Sequence, residues 1–184
     1  MASAQRAVVI RVELFGIEPL VWRRVRVMPS TTLAALHRVL QVVMGWQDTH
    51  LHQFRIGRLR IGEPDRQEDA KDLEDEREWT VADVVKAGAS EFEYLYDFGD
   101  DWTHRLVIET NAPKVVGSGA LCLAGENACP PEDVGGPPGY EEFLAAMANS
   151  KHRRHREFAE WCGGVWDPKA FDLNAVNRVL RSGR

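Results

Sequence analysis

The stretch from Phe92 to Ile108 constrains the fold of this chain more than any other. Apolar and aromatic residues alternate on both sides of Gly99–Asp101, which is the pattern of a half-buried β-hairpin with a short glycine-containing turn. Counting outward from a three-residue turn gives three cross-strand pairs: Phe98 with Trp102, Tyr96 with His104, and Tyr94 with Leu106. A chain built around such a hairpin is expected to contain an antiparallel sheet.

Three other segments show the alternation that is typical of strands. Residues 7–15 and 21–27 are joined by a short turn and predict a second hairpin. Residues 49–57 predict a further strand that carries His50 and His52 on the same face. Two imidazoles in this arrangement are compatible with chelation of a metal ion.

The main helix is predicted between residues 33 and 45. Apolar residues recur at helical spacing behind a capping threonine at 31 or 32, and Gly45 ends the pattern. We expect the helix to lie on the sheet with this apolar stripe facing inward and with His37 at the edge of the stripe. The stripe consists of Leu33, Leu36, Leu40 and Val43.

The second half of the chain has a different character. Residues 63–78 are too charged to bury and predict an exposed loop, and a short helix follows between residues 80 and 88. We therefore expect one domain over residues 1–184 of class α+β, with a mostly antiparallel β-sheet, one main helix packed on it and a C-terminal helical cluster. Its expected parts are a sheet-and-helix body at 1–110, a Gly/Pro-rich loop at 111–139 and a helical subdomain at 140–181.

Charge is distributed unevenly, although the net charge is only −5. Residues 1–62 carry a charge of +6 and residues 151–184 carry +4, whereas residues 63–78 carry −6 and residues 79–150 carry −9. An acidic middle repels phosphate, so only the basic ends would attract a nucleic acid, and then only if they meet in space.

The cysteines and the hydropathy indicate a cytoplasmic protein without a membrane partner. Cys122, Cys129 and Cys162 are sparse and odd in number, which argues against a secreted disulfide framework. No run approaches the roughly 18 apolar residues that a membrane-spanning helix needs. The spacing of Cys122 and Cys129 does not fit a structural zinc site, and we expect a buried pair of thiols.

A non-catalytic binding domain is the first functional hypothesis. Hairpin aromatics together with arginines of the first hairpin would form a groove for a protein or nucleic-acid partner, and the basic segment 151–156 would add charge. The alternative is that most of these aromatics belong to the core. This hypothesis requires no cofactor, and its expected binding residues are Trp22, Arg24, His50, His52, Tyr96, Asp97, Asp100, Asp101, Trp102 and His104.

A metal-dependent hydrolase or nuclease is the second hypothesis. It places the chemistry at the tip of the central hairpin, where Asp97, Asp100, Asp101 and His104 cluster. Carboxylates and imidazoles suit Mg²⁺, Mn²⁺ or Zn²⁺, which polarise a phosphoryl group or acidify a bound water. The alternation argues against one shared ion, because Asp97 and His104 are predicted on opposite sides of the hairpin. The remaining candidate ligands are His50, His52 and Asp100, with Glu132 and Asp133 available from the loop.

Several long segments of the chain resemble the plasmid pRiA4b ORF-3-like family. They are residues 22–24, 44–46, 50–52, 94–102, 122–136 and 171–172. The resemblance implies an α+β domain without an established activity, and it implies an association with mobile DNA elements. The family loop usually carries a third cysteine where this chain has Val134, which argues against a three-cysteine metal site.

Overall fold

The structure, a computed structural model, describes residues 7–66, 71–109 and 119–183. Its centre is an eight-stranded sheet. In chain order the strands are β1 (Val8–Leu14), β2 (Trp22–Val27), β3 (His52–Ile56), β4 (Leu59–Gly62), β5 (Leu73–Asp75), β6 (Glu91–Tyr96), β7 (Trp102–Ile108) and β8 (Leu121–Glu126). They lie in the order β5-β4-β3-β6-β7-β1-β2-β8, and only the β4/β5 pair is parallel.

Five helices accompany the sheet in the described ranges: α1 (Leu33–Met44), α2 (Val81–Lys86), α3 (Gly136–Ala148), α4 (His155–Cys162) and α5 (Leu173–Ser182). Helix α1 begins where the Thr32 hydroxyl accepts the Ala35 N–H, and it ends at left-handed Gly45. Within these ranges, no helix combines the length and apolarity that crossing a membrane demands. The α+β class and the mostly antiparallel sheet are confirmed.

The central hairpin has a longer turn than the alternation predicted. Tyr96 pairs with Trp102, Tyr94 with His104 and Phe92 with Leu106, so all three predicted cross-strand pairs were wrong by two residues. The turn spans residues 97–101 because Asp97 and Asp101 both adopt left-handed backbone and leave the strands. A shift by two residues preserves the faces, and the aromatics of β6 remain inside.

Two strands were missed because they lie inside segments whose overall composition predicted loops. Strand β5 lies inside the segment 63–78, which was predicted to be a loop, and β8 lies inside the predicted loop 111–139. Helix α3 begins at Gly136 rather than Tyr140, with prolines in its first turn. The remaining loop predictions at 67–70 and 111–118 fall outside the described residues.

The inner face of the sheet forms the core under α1. The predicted stripe of α1 is fully buried there, together with Tyr94, Tyr96 and Trp102. Arg23 also points inward, with only 2% of its surface exposed, although the arginines of the first hairpin were expected to line a groove for a partner. Its guanidinium donates hydrogen bonds to the carbonyls of Val43, Trp22, Glu126 and Asn127 and lies over the Phe171 ring.

One side chain of α5 hydrogen-bonds to the backbone on the outer edge of strand β8. The Asn177 Oδ1 accepts the Cys122 N–H at 2.9 Å, and its Nδ2 donates to the Cys122 carbonyl at 2.8 Å. Cys122 and Cys129 are buried free thiols, as expected, and burial raises the pKa of both.

Candidate metal centre

The loop that follows α1 supplies side chains to two separate polar clusters. Gly45 ends the helix, and Trp46 then inserts into the core, where it stacks on Tyr96 with 4.8 Å between ring centroids. The Trp46 indole N–H donates to the Pro130 carbonyl at 3.0 Å, which ties this loop to the loop before α3. Asp48 and His50 follow on this fixed loop and point into different clusters.

The first cluster surrounds His50 with three carboxylates. The imidazole Nε2 lies 3.0 Å from an Asp133 oxygen, 3.6 Å from an Asp97 oxygen and 3.8 Å from a Glu132 oxygen. Two ligands that bind one ion at about 2.1 Å lie roughly 3 to 3.5 Å apart, so the separations to Asp133 and Asp97 are close to those of a coordination sphere. The donor atoms of His50, Asp97 and Asp133 all lie within 4.8 Å of one another, and Glu132 stands beside this set. We call His50, Asp97, Glu132 and Asp133 the His50 cluster.

Each carboxylate of the His50 cluster is oriented by a second contact or by its backbone. The Asp97 Oδ1 accepts the Gly99 N–H, so Oδ2 turns toward His50. The Glu132 Oε1 accepts the Gln47 N–H at 2.7 Å and the Tyr96 hydroxyl at 3.1 Å, so Oε2 turns toward the imidazole. Asp97 and Asp133 both adopt left-handed backbone, a conformation that recurs at functional sites. Such outer contacts orient the ligands in metal sites.

The His50 Nε2 is buried and makes no hydrogen bond to any described residue. The Asp133 oxygen at 3.0 Å is close enough for a hydrogen bond, but no hydrogen bond of acceptable geometry forms. Buried polar atoms normally have a partner, and a cation between the imidazole and the carboxylates would provide one. The side that holds Asp133 is open, since 71% of that side chain is exposed.

Two glycines allow the loop before α3 to reach the hairpin tip. A Cβ at Gly136 would collide with the Asp100 carbonyl, and a Cβ at Gly139 would collide with the Val134 carbonyl. The Asp100 carboxylate accepts the Gly135 N–H at 3.0 Å and completes this junction. The close approach brings Glu132 and Asp133 next to Asp97, although they are 35 and 36 residues away in sequence.

The second cluster lies deeper, between α1 and the sheet. The His37 and His52 rings are stacked with 3.5 Å between centroids and 5° between planes. The His37 Nε2 lies 2.8 Å from Asp48, and the His52 Nε2 lies 2.6 Å from buried Glu76. Each imidazole therefore has a carboxylate at one end.

The tautomer of His37 follows from its neighbours. The Gln41 side-chain oxygen accepts the Asp48 N–H, so its Nε2 donates to the Tyr94 hydroxyl at 3.0 Å. The hydroxyl proton is then directed to the His37 Nδ1 at 2.7 Å, which leaves Nε2–H to donate to Asp48. Burial and the neighbouring His52 lower the pKa of His37 to about 4, which agrees with a neutral ring.

This deeper cluster does not have metal-site geometry. Two imidazoles on one ion hold their ring centres about 4.5 Å apart or more at ordinary coordination angles, so the stacked pair would have to separate. Both ring nitrogens of His37 are already hydrogen-bonded. The cluster is a buried hydrogen-bond network, in which the nitrogens that face the carboxylates are already bonded, whereas the His50 Nε2 faces its carboxylates without a hydrogen bond.

The structure separates several residues that the sequence grouped. His50 precedes β3, so it does not share a face with His52, and the proposed chelating pair was wrong. His104 is fully buried against Trp46 and Tyr94, and burial lowers its pKa to about 4. Trp102 is also in the core. Asp101 points to Thr103 and stays outside the His50 cluster.

The predicted arginine surfaces are paired with carboxylates. Arg24 binds Glu109 through two nitrogens at 2.6 to 2.9 Å, and the Trp22 indole N–H donates to Glu126 at 3.2 Å. In the basic segment 151–156, Arg154 contacts Glu142 at 2.7 Å and a second glutamate. These pairs leave less positive charge for a phosphate backbone than the sequence indicated.

Sequence reasoning missed the deeper network. His37 was placed at the edge of the α1 stripe, yet it is buried, and Gln41 is buried one turn later. Two polar residues on the inward side of an amphipathic helix are a signal for buried hydrogen-bond partners across the core. Glu76 gave no such signal because it stands in a highly charged segment.

Comparisons with known proteins agree on one family. The family described as plasmid pRiA4b ORF-3-like protein matches residues 6–175. The uncharacterised protein y4hQ of Sinorhizobium fredii is 41% identical over 172 residues, which covers 93% of this chain and 89% of the relative. The crystal structure of MM3350, a protein of unknown function from Methanosarcina mazei, superposes with a TM-score of 0.81 at 31% identity and covers 94% of this chain and 98% of that one. This chain therefore belongs to the plasmid pRiA4b ORF-3-like protein family.

Proposed function

We propose that this protein binds a divalent cation in the His50 cluster and uses it for hydrolysis. The observation that carries the proposal is the buried His50 Nε2, which faces three carboxylate oxygens within 3.8 Å and makes no hydrogen bond to them. One imidazole with the carboxylates of Asp97 and Asp133, and Glu132 beside them, favours Mn²⁺ or Zn²⁺ over Ca²⁺, which takes oxygen ligands almost exclusively.

The exposed side of the cluster supports a hydrolytic role. Asp133 is the most exposed of the four side chains, so water and substrate have access to an ion from that side. A bound cation lowers the pKa of a coordinated water and so generates a nucleophile near neutral pH. The Asp133 Oδ1 faces His50, so the second oxygen of this carboxylate would accept a hydrogen bond from that water.

The surrounding charge favours a neutral substrate. Asp100 and Asp101 add two carboxylates to the hairpin tip, and within the described ranges no carboxylate at 97, 100, 101, 132 or 133 is paired with a lysine or arginine. One divalent ion neutralises only part of this charge. An anionic phosphoester would be repelled, so we infer that an uncharged ester or amide is the substrate class.

Metal titration of EDTA-treated protein tests the binding step. We expect about one equivalent of Mn²⁺ or Zn²⁺ by calorimetry, and a stabilisation of about 2.7 kcal/mol at a hundredfold excess over Kd. Asp97→Asn is expected to weaken binding at least tenfold. Asp101→Asn is the matched control, because Asp101 has the same left-handed backbone but points to Thr103. Absence of metal binding, or equal losses in both variants, would refute the centre.

Turnover of two chromogenic probes tests the chemistry. We expect metal-dependent hydrolysis of p-nitrophenyl acetate that exceeds hydrolysis of bis(p-nitrophenyl) phosphate and is lost in His50→Ala. Faster hydrolysis of the phosphodiester would overturn the inferred substrate class. Stoichiometric metal binding without turnover of either probe would overturn the hydrolytic role and leave a metal-binding domain.

Other expectations from the sequence stay predictions. They are the single domain over 1–184, the cytoplasmic location, the non-catalytic binding role and the association with mobile DNA. The ion pairs of Arg24 and Arg154 give the nucleic-acid version of the binding role little support.

A further inference from the structure

A groove with a volume of about 870 Å³ lies between the turn that joins β1 to β2 and the first turns of α3. Apolar side chains line it from both sides, including Leu20 from the turn and Leu144 from the helix. It contains no residue of the His50 cluster, so it is a separate feature.

Phe15 is the most prominent side chain of this groove. Phe15 is 71% exposed, although its backbone is fixed by a hydrogen bond from its N–H to the Thr103 carbonyl at 2.9 Å. The same ring borders a second groove of about 620 Å³. A large aromatic ring on rigid backbone between two grooves is the kind of anchor that protein interfaces bury.

The rim of the groove is acidic. Glu18 and Glu141 line it, and neither makes an ion pair with any residue in the described parts of the chain. Arg105 is the one basic residue of the lining, and its charge is shared by Glu91 at 2.5 Å and Glu13 at 3.7 Å. The groove therefore presents apolar surface together with uncompensated negative charge.

We propose that this groove binds an extended segment of a partner protein that carries lysine or arginine next to a large apolar residue. The apolar residue packs against Phe15, and the basic residue lies next to Glu18 and Glu141. An acidic segment is repelled by the same rim. An extended segment also suits the surface, because the two grooves lie side by side and share Phe15 and Arg105 in their linings.

Fluorescence anisotropy with two peptide libraries tests the proposal. One library holds labelled octapeptides of Leu, Phe, Lys and Arg, and the other replaces Lys and Arg by Glu and Asp. We expect saturable binding of the basic library alone. Replacement of both Glu18 and Glu141 by Gln should weaken binding about fivefold, and Phe15→Ser should weaken it about tenfold or more.

Matched variants separate the groove from the general negative charge. The double variant Glu74→Gln and Glu78→Gln removes the same charge from exposed positions outside the groove and should leave the affinity unchanged. Phe15 is exposed, so Phe15→Ser should keep the fold, and its unfolding midpoint checks this. Equal binding of both libraries, equal losses in both double variants, or no saturable binding up to about 1 mM would overturn the proposal.

Discussion

Two buried neutral histidines make the stability of this protein depend on pH. Burial lowers the pKa of His37 and of His104 to about 4, from an ordinary value of 6.5. Between these values the unfolded chain binds protons that the folded chain does not, so stability is complete above pH 6.5 and is lost as the pH falls toward 4. We therefore expect acid to unfold the protein in that window.

The size of the effect follows from the shift. A change of about 2.5 pKa units corresponds to about 3 kcal/mol for each histidine, or roughly 6 to 7 kcal/mol for both. A domain of ordinary stability has about 5 to 15 kcal/mol in total, so the loss is a large part of it. The expected slope between pH 5 and 6 is about 2 to 3 kcal/mol per pH unit, because nearly two protons are taken up on unfolding.

Urea unfolding at several pH values measures this slope, with EDTA present to remove any effect of metal. Carboxylates with lowered pKa values, such as Asp83 and Glu142, lose their contribution as the pH falls below about 4.5, so they do not dominate this window.

His104→Gln removes one titrating ring while keeping a donor for the carbonyls that the imidazole Nδ1 contacts. The slope should fall by about half, to roughly 1 kcal/mol per pH unit, whatever the stability of the variant at pH 7. His152→Gln is the control, because His152 is only half-buried on the helical part. A wild-type slope below about 0.5 kcal/mol per pH unit, or an unchanged slope in His104→Gln, would refute the reasoning.

Two further predictions test single contacts. Arg23→Met should destabilise the protein by about 3 to 5 kcal/mol in urea unfolding, because it leaves buried carbonyls without a donor. Arg24→Met removes a partly exposed ion pair and should cost about 1 kcal/mol or less. Similar losses of stability in the two variants would contradict the buried role of Arg23. Tyr96→Phe should weaken metal binding by about tenfold or more in calorimetry, because it removes the hydroxyl that orients the Glu132 carboxylate. An unchanged Kd for the metal would show that the hydroxyl does not orient Glu132.

Short-range periodicity predicted the body of the fold, because strand alternation and helical spacing are local properties. The central hairpin, the first hairpin and α1 were all found at nearly the right residues. The turn at 97–101 was misjudged because Phe98 is apolar but exposed, so counting it as an inward residue shifted the register. Strand β5 was missed because its three residues stand in a charged segment.

The candidate site was only partly predictable, because its contacts are long-range. Asp97 and His50 were recognised as candidates, and Glu132 was seen to be available, but nothing local indicates that a loop 35 residues later meets the hairpin tip. The prediction that His50 and His52 share one face of a strand failed for a local reason. Strand β3 begins at His52, and residues two apart point to the same side only within a strand. Left-handed backbone at Asp97 is equally invisible to a strand pattern.

The contact between Asn177 and β8 has a consequence for how copies of this protein meet. An open edge strand presents a row of unpaired backbone groups and is a template on which another chain can add a strand. At Cys122 the side-chain amide of Asn177 hydrogen-bonds both the backbone N–H and the backbone carbonyl, as one residue of a neighbouring strand would do. A second molecule therefore cannot continue the sheet at this position without first displacing α5, and the protein is protected there against edge-to-edge aggregation.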